Sequence, residues 1–103
     1  HVGMVTRTDD DPDSGAVAVE FGATSISSNG DGGDARRDYA TILSRNGHLK
    51  LLNDQRGYQV HEVTPTTWTT HCRVMDRVEV PGGTLSTRAS FVVEAGKSDV
   101  APA

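Results

Sequence analysis

Residues 57–78 read GYQVHEVTPTTWTTHCRVMDRV and contain two stretches rich in β-branched and aromatic side chains. The composition predicts strands over 57–63 and 67–78, separated by a turn at Thr64 and Pro65. Side chains alternate between the two faces of a strand, so the second stretch has one apolar and one polar face. The apolar face carries Trp68, Cys72 and Val74, and the polar face carries Thr67, Thr69, His71 and Arg73.

The remaining chain extends this β pattern in both directions. Four more strands are predicted, over residues 2–6, 16–21, 49–52 and 87–93. In the last of these, Thr87, Ala89, Phe91 and Val93 are expected on one face, opposite Ser86, Arg88, Ser90 and Val92. The alternation is typical of sheets that bury one face.

One helix is predicted between the β segments. Asp34 is a suitable N-cap for a helix from residue 35 to about 45, and Asn46-Gly47 is a suitable end. Tyr39, Ile42 and Leu43 then share one face at helical spacing. The predicted class is therefore α+β and mostly β, with one short helix.

Composition limits what the chain can do. It has 103 residues, of which 35% are hydrophobic and 5% aromatic, with a mean hydropathy of -0.44. This is poor material for an independent core and indicates a part of a larger protein. The formal charge of -4 and pI near 5.4 argue against binding a nucleic-acid backbone. No segment has the roughly 20 apolar residues that span a bilayer, and no signal sequence is present in this window.

Six blocks in order resemble the C-terminal region of PhoD-like alkaline phosphatases over roughly residues 1–96. The blocks are VEF at 19–21, TSISS at 24–28, NGHLK at 46–50, NDQRGY at 53–58, VTP at 63–65 with Trp68, and STRASFVVE at 86–94. The resemblance implies a partial sandwich of antiparallel or mixed strands, a piece of the larger αββα sandwich of metallophosphoesterases. Residues 97–103 are expected to be a flexible tail.

The resemblance also implies a function and a metal ligand. In this family a Gly-Asp-x-His motif closes the metal site, and His1 stands where that histidine would be. The family implies hydrolysis of phosphate monoesters and diesters, iron and calcium as metals, and export across the bacterial inner membrane, to a secreted or periplasmic location. The family's other ligands come from earlier in its sequence, so these 103 residues alone are expected to be inactive. The alternative is a β-rich interaction or accessory module without catalysis.

Two acidic loops are weaker candidates for metal binding. Asp9, Asp11 and Asp13, with Glu20 at the end, resemble the ligand spacing of a helix-loop-helix calcium loop. The glycine is displaced to Gly15 and no helices flank the loop, so a solvated hairpin loop is the favoured interpretation. The second loop, with Asp31 and Asp34, is weaker still.

The other polar residues have ordinary structural interpretations beside functional ones. His48, His61 and His71 show no ligand spacing, and His61 and His71 are predicted on strand surfaces. Arg56 and Arg88 have the chemistry to bind phosphate bidentately, but Arg56 more plausibly ties a loop to backbone carbonyls or an acid. Three serines lack a nearby base, and Cys72 is predicted to be a small core residue. These serines are Ser25, Ser27 and Ser28.

Overall fold

A computed structural model describes residues 1–9, 11–34 and 36–103 and contains two antiparallel sheets. The strands are β1 Val2–Thr6, β2 Ala16–Phe21, β3 Leu49–Leu51, β4 Gly57–Val63, β5 Thr67–Met75, β6 Leu85–Glu94 and β7 Ala101–Pro102; the helix is α1 Tyr39–Arg45, and a 3-10 turn covers Pro12–Ser14. The first sheet has the strand order β2-β1-β3, and the second has the order β4-β5-β6-β7. The mostly β class with one helix in the described residues is confirmed.

The first sheet is built around β1. Val2 pairs with Phe21 on one side and with Leu51 on the other, and its side chain is fully buried. Between β1 and β2 the acidic loop is closed locally, since the Asp11 carboxylate accepts the backbone N–H of Asp13 at 3.0 Å. Asp11 therefore stabilises a tight turn at the surface.

The second sheet confirms the alternation predicted for β5 in part. Cys72 and Val74 are buried together with Thr70, whereas His71 and Arg73 are half-buried on the other face. Trp68 was predicted on the buried face, but it is 42% exposed because it lies near the end of the strand, beyond the buried part of the face. The buried face packs against the first sheet, and the amide of Gln59 spans the two sheets by donating to the Gly22 carbonyl at 3.3 Å. The core between the sheets consists of Val2, Leu51, Cys72 and Phe91, with Phe21, Ala89 and Val100 packed against it.

A β-bulge corrects the predicted faces of the last strand. Cys72 is opposite Ala89 but Arg73 is opposite Thr87, which leaves Arg88 as an extra residue in β6. An inserted residue reverses the alternation beyond it. Thr87 consequently lies on the outer face, where it accepts a hydrogen bond from Arg73 at 2.5 Å, and not on the face of Ala89 as predicted.

The predicted start of the helix is also wrong. The helix begins at Tyr39 with Asp38 at its N-cap, and Asp38 makes no capping hydrogen bond through its side chain. Asp34 binds other side chains instead of capping, and Ala35 lies outside the described residues. The predicted end is confirmed, because the helix stops at Arg45 and Asn46 occupies the C-cap.

Strand ends differ from the predictions in three further places. The fifth strand stops at Met75 and not at residue 78, the sixth is longer than predicted, and the third ends at Leu51. Asp76 ends β5 by accepting the Thr84 N–H at 2.7 Å, which turns the chain toward β6.

The end of the chain returns to the second sheet. Ala101–Pro102 pair with β6, and Ala103 donates its N–H to Ser90 at 3.0 Å. The flexibility of residues 97–103 in solution stays a prediction. Within the described parts of the chain, none of the helical structure is long and apolar enough to cross a membrane.

Candidate functional site

The backbone of His1 continues the ladder between β1 and β2. Its amino group donates to the Gly22 carbonyl at 2.8 Å, and its carbonyl accepts the Gly22 N–H at 2.9 Å. The imidazole lies over Gly22, where a Cβ would come within 2.7 Å of Cε1 and 2.8 Å of Nδ1. Real Cβ atoms do not approach that closely, so the ring occupies space that only a glycine leaves free.

Glu20 is the acidic partner of this ring. Its Oε2 lies 3.3 Å from Nε2 of His1, and both side chains are partly exposed, at 39% for His1 and 61% for Glu20. In the described chain, Nδ1 of His1 has no hydrogen-bond partner. The ring therefore has one nitrogen at a carboxylate and one available to a ligand.

The described residues supply one ligand and not a complete metal site. Among residues 1–9, 11–34 and 36–103, no three His, Cys, Asp or Glu side chains converge closely enough to hold a metal ion. A cavity of about 20 Å³ lies beside His1, between the sheets, with Cys72 and Arg88 in its lining. It has room for about one water molecule, which is too little for a phosphate ester.

The two loops that follow β2 and β3 meet in a polar network around Asp54. The Asp54 carboxylate accepts the Gly33 N–H at 2.5 Å and a hydrogen bond from Arg36 at 2.8 Å. Desolvation raises the pKa of this carboxyl, but the hydrogen bonds from Gly33, Arg36 and Tyr39 outweigh it and lower the pKa below its ordinary value. Asp54 is therefore ionised at neutral pH and holds the loop in place.

Asp34 and Arg88 extend the network to the second sheet. Asp34 Oδ1 accepts from the Asn53 amide at 2.7 Å and from Arg88 Nε at 2.5 Å. Desolvation of Asp34 acts against these bonds, yet they lower the pKa of its carboxyl overall. The bulge in β6 is what turns Arg88 toward this loop, so the guanidinium serves first as an ion-pair partner of Asp34.

Arg56 has the structural role predicted for it. It is 7% exposed, and its guanidinium donates to the Ser25 hydroxyl and to the Asp54 backbone carbonyl. Its Nε is buried and has no partner among the described residues. Ser25 is thus a partner of a buried arginine and is not placed beside a general base.

The other predicted candidates are dispersed. His61 lies 2.9 Å from the Thr70 hydroxyl, and His71 lies between Ser90 and Glu62 on the opposite face of the sheet, 2.8 Å from each. His48 borders a cavity of about 540 Å³ with Asp9, Asp11 and Glu20 in its lining. Burial raises the pKa of the Cys72 thiol, in keeping with the predicted core residue.

Sequence reasoning missed the pairing of Glu20 and Gly22 with His1. The sequence pattern assigns Glu20 to the end of a calcium-like loop and to the VEF block, and nothing in it indicates a contact with His1. The alternating pattern of β2 places Glu20 and Gly22 on one face, but their proximity to His1 depends on the register between two strands. A register between strands is not readable from either strand alone.

Comparison with solved structures defines the class of this chain. It matches the structure described as "Structure of PhoD" with a TM-score of 0.88 and 38% identity, over 98% of this chain and 19% of that chain. Both sheets, the helix and the joining loops thus correspond to less than a fifth of that larger chain.

Sequence comparison gives the family. Residues 1–72 match the family model for PhoD-like phosphatases. The alkaline phosphatase D of Bacillus subtilis is 49% identical over 76 residues, which are 74% of this chain and 13% of that protein. The chain belongs to the PhoD-like phosphatase family, and it spans less than a fifth of the relatives it matches.

Proposed function

We propose that this chain forms the C-terminal, β-rich part of a metal-dependent phosphatase that hydrolyses phosphate monoesters and diesters. The observation that carries the proposal is the match to the PhoD structure over 98% of the chain at 38% identity. The fold of the relative accommodates both sheets, so their packing is that of a phosphatase scaffold. The remaining ligands and the substrate site belong to other parts of the protein.

His1 is the residue that we assign to the metal. Its imidazole is partly exposed, one of its nitrogens lacks a partner in the described chain, and imidazole is a common ligand for iron and other transition metals. We assign iron and calcium as the metals, by resemblance to the family. A bound metal supplies charge stabilisation and an acidified water for attack on phosphorus. The chain's own residues hold the imidazole in place and exclude water from the core.

The test uses the full-length protein that carries this chain. We expect His1→Ala to remove bound metal and to lower kcat/KM on p-nitrophenyl phosphate by roughly two orders of magnitude, because the metal generates the nucleophile. His48→Ala is the matched control and should leave both unchanged. An active, metal-loaded His1→Ala protein would refute the assignment, and so would an upstream sequence other than Gly-Asp-x.

We also propose that the protein works outside the cytoplasm, as a secreted or periplasmic enzyme. This proposal comes from the resemblance to PhoD-like phosphatases. Cell fractionation of the producing organism, with phosphatase activity followed in each fraction, tests it. Activity confined to the cytoplasmic fraction would contradict it.

The alternative of a self-sufficient accessory module makes a different prediction for residues 1–103. Several apolar side chains remain exposed on the strands, including Val63 at 63%, Val17 at 50% and Trp68 at 42%. If these surfaces are normally covered by other parts of a phosphatase, the 103-residue chain should self-associate. A monomer with a single cooperative unfolding transition in analytical ultracentrifugation and calorimetry would favour the module instead.

A further inference from the structure

The register between β1 and β2 brings a carboxylate to the ring of His1. Gly22 exchanges both backbone hydrogen bonds with His1, and Glu20 stands two residues before Gly22 on the same strand. Side chains two residues apart lie on the same face of a strand, so Glu20 is a diagonal neighbour of His1. The distance of 3.3 Å between Oε2 and Nε2 shows that the two side chains meet.

Gly22 forms the surface on which the ring lies. A Cβ at this position would be 2.7 Å from Cε1, 2.8 Å from Nδ1 and 3.3 Å from Nε2 of His1. Any larger residue would push the imidazole away from the strand. Three features together thus determine the position of the His1 ring. They are the backbone hydrogen bonds to Gly22, the absence of a side chain at Gly22 and the carboxylate of Glu20.

The other histidines are arranged differently. Both ring nitrogens of His71 are occupied, Nδ1 by Ser90 and Nε2 by Glu62. Nδ1 of His61 lies near the Thr70 hydroxyl and the Trp68 indole N–H. Within the described residues, His1 alone combines a carboxylate at one nitrogen with no hydrogen-bond partner at the other.

We propose that Glu20 is the positioning residue for the metal ligand His1, with Gly22 as the surface that admits the ring. This inference rests on the proposed function. A carboxylate at one ring nitrogen fixes the tautomer and the orientation of a ligating histidine. Glu20 lies 3.3 Å from Nε2 as an ion-pair partner, which leaves Nδ1 as the nitrogen that would bind the metal.

The test measures metal affinity directly and does not depend on activity. The full-length protein is freed of metal with a chelator and titrated with Co²⁺, followed by the visible absorption of the bound ion. We expect Glu20→Gln to weaken Co²⁺ binding about 10- to 100-fold, as for other carboxylates that orient a ligand. Glu20→Asp should recover part of the affinity, and Gly22→Ala should weaken binding in the same direction.

Glu62→Gln is the matched control, because Glu62 also contacts a histidine ring, that of His71 at 2.8 Å, and is similarly exposed. It should leave Co²⁺ binding unchanged. If Glu20→Gln binds Co²⁺ like the parent while His1→Ala does not, the positioning role is wrong and the metal assignment stands. If His1→Ala also binds normally, both fail. A loss in Glu20→Gln as large as that in His1→Ala would make Glu20 a ligand and overturn the positioning role.

Discussion

The two sheets are held together by an apolar joint and a polar joint, which differ in position and in sequence. The apolar joint is the buried cluster of Val2, Leu51, Cys72 and Phe91 between the sheets. The polar joint is the loop network of Asp34, Asn53, Asp54, Arg56 and Arg88 beside it. Burial of an apolar side chain contributes about 1.5–3 kcal/mol, and a hydrogen bond a net 0.5–1.5 kcal/mol.

This difference explains where the family blocks lie. NDQRGY supplies Asn53, Asp54 and Arg56, and TSISS supplies Ser25, which binds Arg56. A hydrophobic position accepts several side chains of similar volume, whereas a charged pair or an amide contact requires particular donors and acceptors. Four of the five residues of the polar joint lie in the family blocks, whereas in the apolar joint only Phe91 does, in STRASFVVE.

Truncation in the apolar joint should give the largest loss of stability. Phe91 is 8% exposed, and we expect Phe91→Ala to lower the free energy of unfolding by about 3–5 kcal/mol through lost burial and a residual cavity. Urea unfolding of residues 1–103, at a protein concentration where the chain is monomeric, measures this through the fluorescence of Trp68, the single tryptophan of these residues. Val63→Ala, at a position 63% exposed, is the control. Equal losses in both variants would place Phe91 outside a packed core.

Removal of the buried guanidinium of Arg56 should cause the second largest decrease in the free energy of unfolding. Arg56→Met keeps the aliphatic bulk but leaves the Ser25 hydroxyl and the Asp54 carbonyl without their donor. We expect a loss of about 1–3 kcal/mol in the same urea experiment, since buried acceptors would remain unpaired. Arg73→Met, on the outer face, should cost clearly less. The ranking of the two joints would be wrong if Arg56→Met exceeded Phe91→Ala.

Acid should weaken the polar joint and spare the apolar joint. The folded pKa values of Asp34 and Asp54 are lowered, so the unfolded chain binds more protons at acidic pH. Their contribution is present above the unfolded pKa of about 3.9 and is lost as the pH falls through the lower folded values. The urea concentration at the unfolding midpoint should therefore decrease as the pH is lowered below about 5. The double variant Asp34→Asn, Asp54→Asn should show a flatter pH dependence than the parent, and an equal slope would contradict this account.

The exposed ion pair at the edge of the polar joint should contribute least to the stability of the fold. Arg36 and Asp54 are 2.8 Å apart, but their side chains are 59% and 34% exposed. A double-mutant cycle with Arg36→Ala and Asp54→Asn should give a coupling energy smaller than the losses of stability expected for the other variants, because solvent screens the pair. Added salt should reduce the coupling further. A larger, salt-independent coupling would show that the pair is shielded from solvent.

Much of the secondary structure could be predicted from local patterns. Alternation along β5 placed Cys72 and Val74 in the core, and Asn46 marked the end of the helix. The start of the helix was predicted too early, because Asp34 is a good N-cap by residue type but binds Asn53 and Arg88. The competing partners are 19 and 54 residues away, and no local pattern reveals them.

The sequence by itself determined the family, the strand segments and the candidate ligand His1, since these depend on residue types in order along the chain. Only the tertiary structure decided that a bulge turns Arg88 toward Asp34 and that Glu20 and Gly22 frame the ring of His1. Both outcomes depend on the register between strands distant in sequence. A shift of one residue in either register would remove those contacts while leaving every local pattern intact.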